Sequence, residues 1–75
     1  MKTKYKYIEF KIKDDAFSGE EVWECRNRKK TVLGYVGYVG RWHEWEFQPE
    51  PMMGFTIECI NDIADFLRQL NENKA

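Results

Sequence analysis

The sequence predicts an α+β domain: an antiparallel three- to four-stranded sheet with one C-terminal helix packed on one face, in the order β-β-β-β-α. Three observations carry this. Residues 5–13 (Tyr-Lys-Tyr-Ile-Glu-Phe-Lys-Ile-Lys) alternate with a period of two, the mark of a half-buried strand. Residues 22–39 are rich in β-branched and aromatic side chains around the polar stretch Asn27-Arg28-Lys29-Lys30, the pattern of a hairpin. Beyond Thr56, apolar side chains recur at helical spacing.

In the first strand Ile8, Phe10 and Ile12 fall on one face and Tyr7, Glu9 and Lys11 on the other. Asp14-Asp15 and Ser18-Gly19 form the next loop, with Phe17 as its anchor. Val22–Arg26 alternates again and puts Trp23 and Cys25 together. In Thr31–Val39 a bulge at Gly34 or Gly37 lets Leu33 and Val36 share a face despite their odd spacing. Gly40–His43 turns the chain into a last strand, Glu44–Gln48, carrying Trp45 and Phe47. Pro49 and Pro51 end it, since neither donates to a ladder.

The helix is expected from about 57 to 71, with Thr56 as N-cap and Phe55 stapled onto Ile60. Its apolar stripe is Ile60, Ile63, Ala64, Leu67 and Leu70, with Cys59 and Phe66 at the margins. Glu58, Asn61, Asp62, Asp65, Arg68 and Gln69 face water, and the tail from Asn71 frays. One core is expected to hold Ile8, Phe10, Leu33, Ile60, Ile63 and Leu67.

Seventy-five residues make a single domain, 1–75, with a modest core, because so short a chain buries only about 60% of its unfolded surface. Aromatics are 16% of the chain and include Trp23, Trp42 and Trp45. Each can bury about 150–250 Å², so aromatic packing is the expected substitute for disulfides or metal. The charged start, Met1–Lys6, has no apolar signal core. No apolar run approaches a membrane span of about 18 residues. These features predict a cytoplasmic, reducing setting in which Cys25 and Cys59 are buried free thiols. Net charge is −1, but residues 1–41 hold ten Lys/Arg against six acids and residues 42–75 two against seven.

Most site chemistries fit poorly. Gly34, Gly37 and Gly40 are spaced GxxGxxG with no helix behind them, which is no dinucleotide fingerprint. Cys25, His43 and Cys59 lack the paired spacing of a structural zinc site. A thiol nucleophile would need His43 held by a third group that the turn Arg41–Trp45 does not offer. The expectation is therefore a chain with no cofactor and no enzymatic activity. Nucleic-acid binding is the stronger alternative: Lys2, Lys4, Lys6, Lys11 and Lys13 alternate with Tyr5 and Tyr7, and residues 26–30 are basic, as a single-strand platform requires. One helix is too few for an RNA-recognition motif, and its acidic start is wrong for a double-stranded-RNA domain.

The strings Trp23-Glu-Cys-Arg-Asn27, Leu33-Gly34-x-Val36-x-Tyr38, Trp42, Phe47-x-Pro49 and Phe55-Thr56-x-x-Cys59-Ile60-x-Asp62-Ile63-Ala64-x-Phe66-Leu67-x-x-Leu70 resemble a group of very small uncharacterised proteins carried by bacteriophages, prophages and mobile elements. The likeness runs from Trp23 to Leu70; where the group has an arginine after Trp42, this chain has His43. The resemblance implies a phage or host-cytoplasm setting. By analogy with small phage accessory proteins, it implies a module that binds and inhibits a host protein, defence proteins included. The partner is thus expected to be a host or phage protein, with nucleic acid second and a second copy of the chain, as a homodimer, third. One helix about 10 Å wide covers only one side of a sheet. The binding surface is therefore expected on the open side, built from Tyr5, Tyr7, Lys11 and Arg26 with the turn Arg28, Lys29, Lys30 and with Trp42.

Overall fold

In a computed structural model, residues 1–14 and 21–72 are described. Four strands, β1 (Ile8–Asp14), β2 (Glu21–Asn27), β3 (Val32–Val39) and β4 (Glu44–Pro49), form one antiparallel sheet in the order β1-β2-β3-β4, followed by the helix α1 (Ile57–Glu72). The α+β class and the β-β-β-β-α order are those the alternation predicts. The loop assigned to Phe17 lies outside the described residues.

The two described turns between strands follow from local chemistry. Between β2 and β3 the Asn27 side-chain oxygen accepts the N–H groups of Lys29 (2.9 Å) and Thr31 (3.0 Å), and Lys30 takes a left-handed φ of 68°. Between β3 and β4 the Trp42 N–H donates to the Val39 carbonyl, and His43 takes a φ of 56°. The register of β2 against β3 slips between Cys25 and Arg26, where Cys25 faces Gly34 but Arg26 faces Val32. Leu33 is the extra residue of this bulge, immediately before Gly34, and both Leu33 and Val36 join the core.

Strand pairing aligns Phe10, Cys25 and Gly34 in one row and Ile12, Trp23, Val36 and Phe47 in the next. The helix packs on this face. Ile8, Phe10, Cys25, Val36, Ile63, Phe66 and Leu70 form the buried core. At its centre the Phe66 ring stacks on Phe10 with centroids 3.9 Å apart and meets Trp23 edge-on at 5.2 Å. Thr56 caps the helix, accepting the Cys59 N–H at its hydroxyl.

Several expectations are corrected. The helix is rotated so that Phe66, assigned to the margin, is fully buried, while Ile60 is 52% exposed and Ala64 faces solvent. The core-facing spacing is Ile63, Phe66 and Leu70, with Cys59 and the expected Leu67 half-buried against them, and it satisfies helical periodicity as well as a stripe through Ile60 and Ala64 does. The fit of Phe66 between Phe10 and Trp23 decides between them. Phe55 packs edge-on against Phe47 at 5.5 Å. Ile12 keeps its predicted face but is 54% exposed. Asn71 does not fray: it is helical, and its side-chain oxygen accepts the Trp45 N–H at 2.8 Å. The first strand begins at Ile8 and not at Tyr5, because the chain reverses at Lys6-Tyr7 and Lys4 bridges Glu9.

That reversal closes one sheet edge. The Phe10 N–H donates to the Thr3 carbonyl and the Tyr5 N–H to the Ile8 carbonyl, both at 2.8 Å. The β4 edge is closed differently. Backbone groups alternate sides along an antiparallel strand, so the N–H groups of Trp45 and Phe47 and the place of Pro49's missing one point outward. Asn71 occupies the first and proline removes the last.

Gly34 is required by space. A Cβ there would lie 2.6 Å from Phe47 Cζ and 2.7 Å from the Gln48 carbonyl oxygen, whereas one on Gly37 would meet nothing within 4 Å. Gly34→Ala is expected to lower stability by about 1–3 kcal/mol through overpacking. Gly37→Ala is expected to stay within about 1 kcal/mol of the parent. Urea unfolding midpoints check both, and equal midpoints for the two variants contradict the assignment.

Candidate interaction surface

The sheet face opposite the helix is built in rows by the register: Glu9, Arg26, Val32; Lys11, Glu24, Tyr35, Gln48; Lys13, Val22, Gly37, Glu46. Much of its charge is internally paired. Arg26 grips Glu24 Oε2 through Nε (2.8 Å) and Nη2 (2.6 Å). Lys30 reaches from the β2–β3 turn to Glu9, and this hydrogen bond is the largest influence holding the Glu9 carboxyl below its usual range. Lys13 lies over the Tyr35 ring at 5.2 Å.

Against this geometry the residues expected to bind a partner separate into four places. Lys11 and Arg26 stand on the open face, and Lys30 reaches its border through Glu9. Tyr5 does not lie there. It packs edge-on against Phe10, donates its hydroxyl to Asp65 Oδ2 (2.7 Å) and accepts a hydrogen bond from Gln69 Nε2 (2.9 Å), so it fastens the N-terminal segment to the helix. The Lys2 backbone completes the fastening by exchanging two hydrogen bonds with Gln69. Tyr7, Arg28 and Lys29 gather at the end of the sheet where β1 begins, around a shallow recess with Asn27. There Arg28 Nε donates to the Lys6 carbonyl at 2.7 Å. Trp42, 67% exposed, is in the β3–β4 turn at the opposite end. The eight residues therefore do not make one surface: β-strand length separates Trp42 from the basic turn, and the reversal at Lys6-Tyr7 takes Tyr5 to the helix side.

The exposed apolar side chains lie elsewhere. Ile57 (76%) and Ile60 are exposed on α1, Met52 and Met53 precede it, and Tyr7 is exposed beside its start. Tyr7, Thr56, Ile57, Glu58 and Cys59 line an open recess of about 550 Å³. Along the helix, Ile57, Ile60, Ala64 and Leu67 are spaced three, four and three residues apart, the spacing of one coiled-coil seam. The helix thus has two apolar seams about 90–120° apart, one spent on the core and one whose Ile57, Ile60 and Ala64 face outward while Leu67 is half-buried against the core. Sequence reasoning merged them into a single stripe. The alternation 57-60-64-67 was the signal that separates them.

Cys25, His43 and Cys59 do not converge: Cys25 is fully buried in the sheet, Cys59 is half-buried at the helix start, and His43 is in the turn at the other end. Both cysteines are free thiols, and the expectation of full burial is corrected for Cys59, which lines the recess. Comparison of the chain with protein-family models, with curated proteins and with solved structures returned no match.

Two buried groups set an alkaline limit. Burial pushes the Cys25 thiol from 9.0 up to about 12, with Cys59 adding to it. Burial and the Asp65 hydrogen bond raise the Tyr5 phenol above its ordinary value. The folded chain holds both protons more tightly than the unfolded chain. Their stabilising contribution is therefore complete below the unfolded values and is lost as pH rises through the folded ones. Stability from urea unfolding is expected to fall progressively above about pH 9, and the Tyr5→Phe, Cys25→Ala variant to show a flatter slope there. Equal slopes for parent and variant would contradict this origin.

Proposed function

We propose that the chain is a non-enzymatic protein-binding module that receives an amphipathic helix of a host or phage protein along the outer seam of α1. The observation that carries this reading is the exposure of Ile57, Ile60 and Ala64 at helical spacing, continued by the half-buried Leu67. An apolar ridge at coiled-coil spacing is satisfied by another helix with apolar residues at matching positions. Ala64 lets the backbones approach closely at the middle. Tyr7 and Met53, both exposed beside the helix start, extend the apolar area, and Glu58, Asn61 and Arg68 make a polar rim. Burying an isoleucine side chain is worth about 1.5–3 kcal/mol, so Ile57 and Ile60 supply a substantial binding energy.

The resemblance to very small uncharacterised phage and mobile-element proteins supports, by analogy with phage accessory proteins, a host-cell protein, defence proteins included, as the partner, with binding by occlusion as the mode of inhibition. Nucleic acid is the second reading, favoured by the gathering of Tyr7, Arg28 and Lys29 around one recess. The ion pairs of Arg26 and Lys30 leave fewer free cations for phosphates than composition suggests.

The test begins with a host protein captured by the parent chain, purified, and titrated against variants of unchanged melting temperature. Ile57→Glu with Ile60→Glu is expected to cost about 2 kcal/mol or more, roughly thirty-fold in Kd, and Arg28→Glu with Lys29→Glu to cost little. Complex formation is expected to slow alkylation of Cys59. The reverse ranking, with a steep salt dependence on labelled single strands, would replace this reading by the nucleic-acid one.

A further inference from the structure

The open sheet face carries a charge arrangement that one chain cannot satisfy by itself. Its lysines, Lys11 and Lys13, stand on β1 at one margin, and Glu44 and Glu46 stand on β4 at the other. None of the four has an ion pair among the described residues. Three inter-strand spacings, about 14 Å, separate the margins, which is beyond side-chain pairing and beyond the screening length of about 8–10 Å. Between them the face is neutral and low. Glu24 and Arg26 cancel each other, and Val22, Val32, Tyr35 and Gly37 supply apolar area, with open space over Gly37.

We infer that this face pairs with the same face of a second copy, about a two-fold axis parallel to the strands. Such an axis lays β1 of each copy over β4 of the other and leaves every residue at its own level along the strand. Lys13 then faces Glu46 of the second copy, Lys11 reaches toward Gln48 and Glu46, and Val22 rests over Gly37. Each contact occurs twice, as an isologous interface requires. The alternative axis, perpendicular to the strands, would place lysine over lysine and glutamate over glutamate. Edge-to-edge pairing is interrupted, by residues 3–5 over the first part of β1 and by Asn71 and Pro49 on β4. A face of roughly 15 by 20 Å buries on the order of 1,000 Å² in two copies, at the lower end of specific interfaces. The dimer is therefore weak, concentration-dependent and sensitive to salt.

The face is independent of the outer seam of α1, and the experiment separates the two. Sedimentation equilibrium of the parent chain at high micromolar concentration and low salt is expected to give a mass twice 9.1 kDa, falling toward the single-chain mass as salt is raised. Lys11→Glu with Lys13→Glu, and separately Glu44→Lys with Glu46→Lys, are each expected to give single chains with unchanged melting temperature. Mixing these two variants is expected to restore the doubled mass, because each margin then meets its opposite sign. Ile57→Glu with Ile60→Glu is expected to leave the parent dimer intact. A parent that remains single at these concentrations would overturn the inference, as would charge variants that still dimerise alone or a mixture that fails to restore the dimer. Loss of the dimer on substituting Ile57 and Ile60 would overturn it by placing self-association on the helix.

Discussion

The packing of Phe66 between Phe10 and Trp23 governs the arrangement of everything else. A ring stacked at 3.9 Å on one strand and met edge-on from the next admits one rotation of the helix about its axis. That rotation aims Asp65 and Gln69 at Tyr5 and Lys2, which fastens the N-terminal segment, and aims Asn71 at the Trp45 N–H, which occupies the β4 edge. It also turns Ile57, Ile60 and Ala64 away from the sheet. Aromatic pairs add about 0.5–1.5 kcal/mol beyond their area. The stronger effect is geometric, since rotating the helix by one seam, about 100°, would bring Leu67 to where Phe66 now sits and replace the stacked ring by a smaller aliphatic side chain.

The same contacts explain why the molecule presents faces and closes edges. A four-stranded sheet has two exposed ladders that invite uncontrolled pairing. Here one is partly covered by the folded-back N-terminus and the other is interrupted by a helix side chain and a proline. What remains accessible is a charged, two-margined sheet face and an apolar helix ridge. These differ in the partner they select: the ridge offers area and little directional information, and the sheet face offers charge order and little area. A small domain with both can hold a target through one and a second copy through the other, so that avidity compensates for modest interfaces.

The basic-aromatic patch shows how local charge can mislead. Residues 26–30 look like a free cationic turn, yet Arg26 is held by Glu24 and Lys30 by Glu9. Both acids are on strands, and only the register of β1 against β2 brings Glu9 level with Arg26. Whatever their worth to stability, these pairs, part-buried at Arg26–Glu24 and more open at Lys30–Glu9, change which cations are available to a phosphate or an acidic partner.

The strands, their order of occurrence, the single helix, its threonine cap and a bulge at one of Gly34 and Gly37 were determined by the sequence, because period-two alternation, turn residues and caps act over a few neighbouring residues. Tertiary structure decided what depends on distant partners. Tyr5 leaves the strand because Asp65 and Gln69, sixty or more positions away, offer its hydroxyl better bonds than an edge does. The helix chooses between two apolar seams of equal periodicity through the fit of one phenylalanine, and that choice determines which isoleucines become surface. The sequence therefore determined the fold class, while long-range packing decided which apolar side chains remain exposed, because periodicity states that a helix has an apolar seam but not which of two seams the core will take.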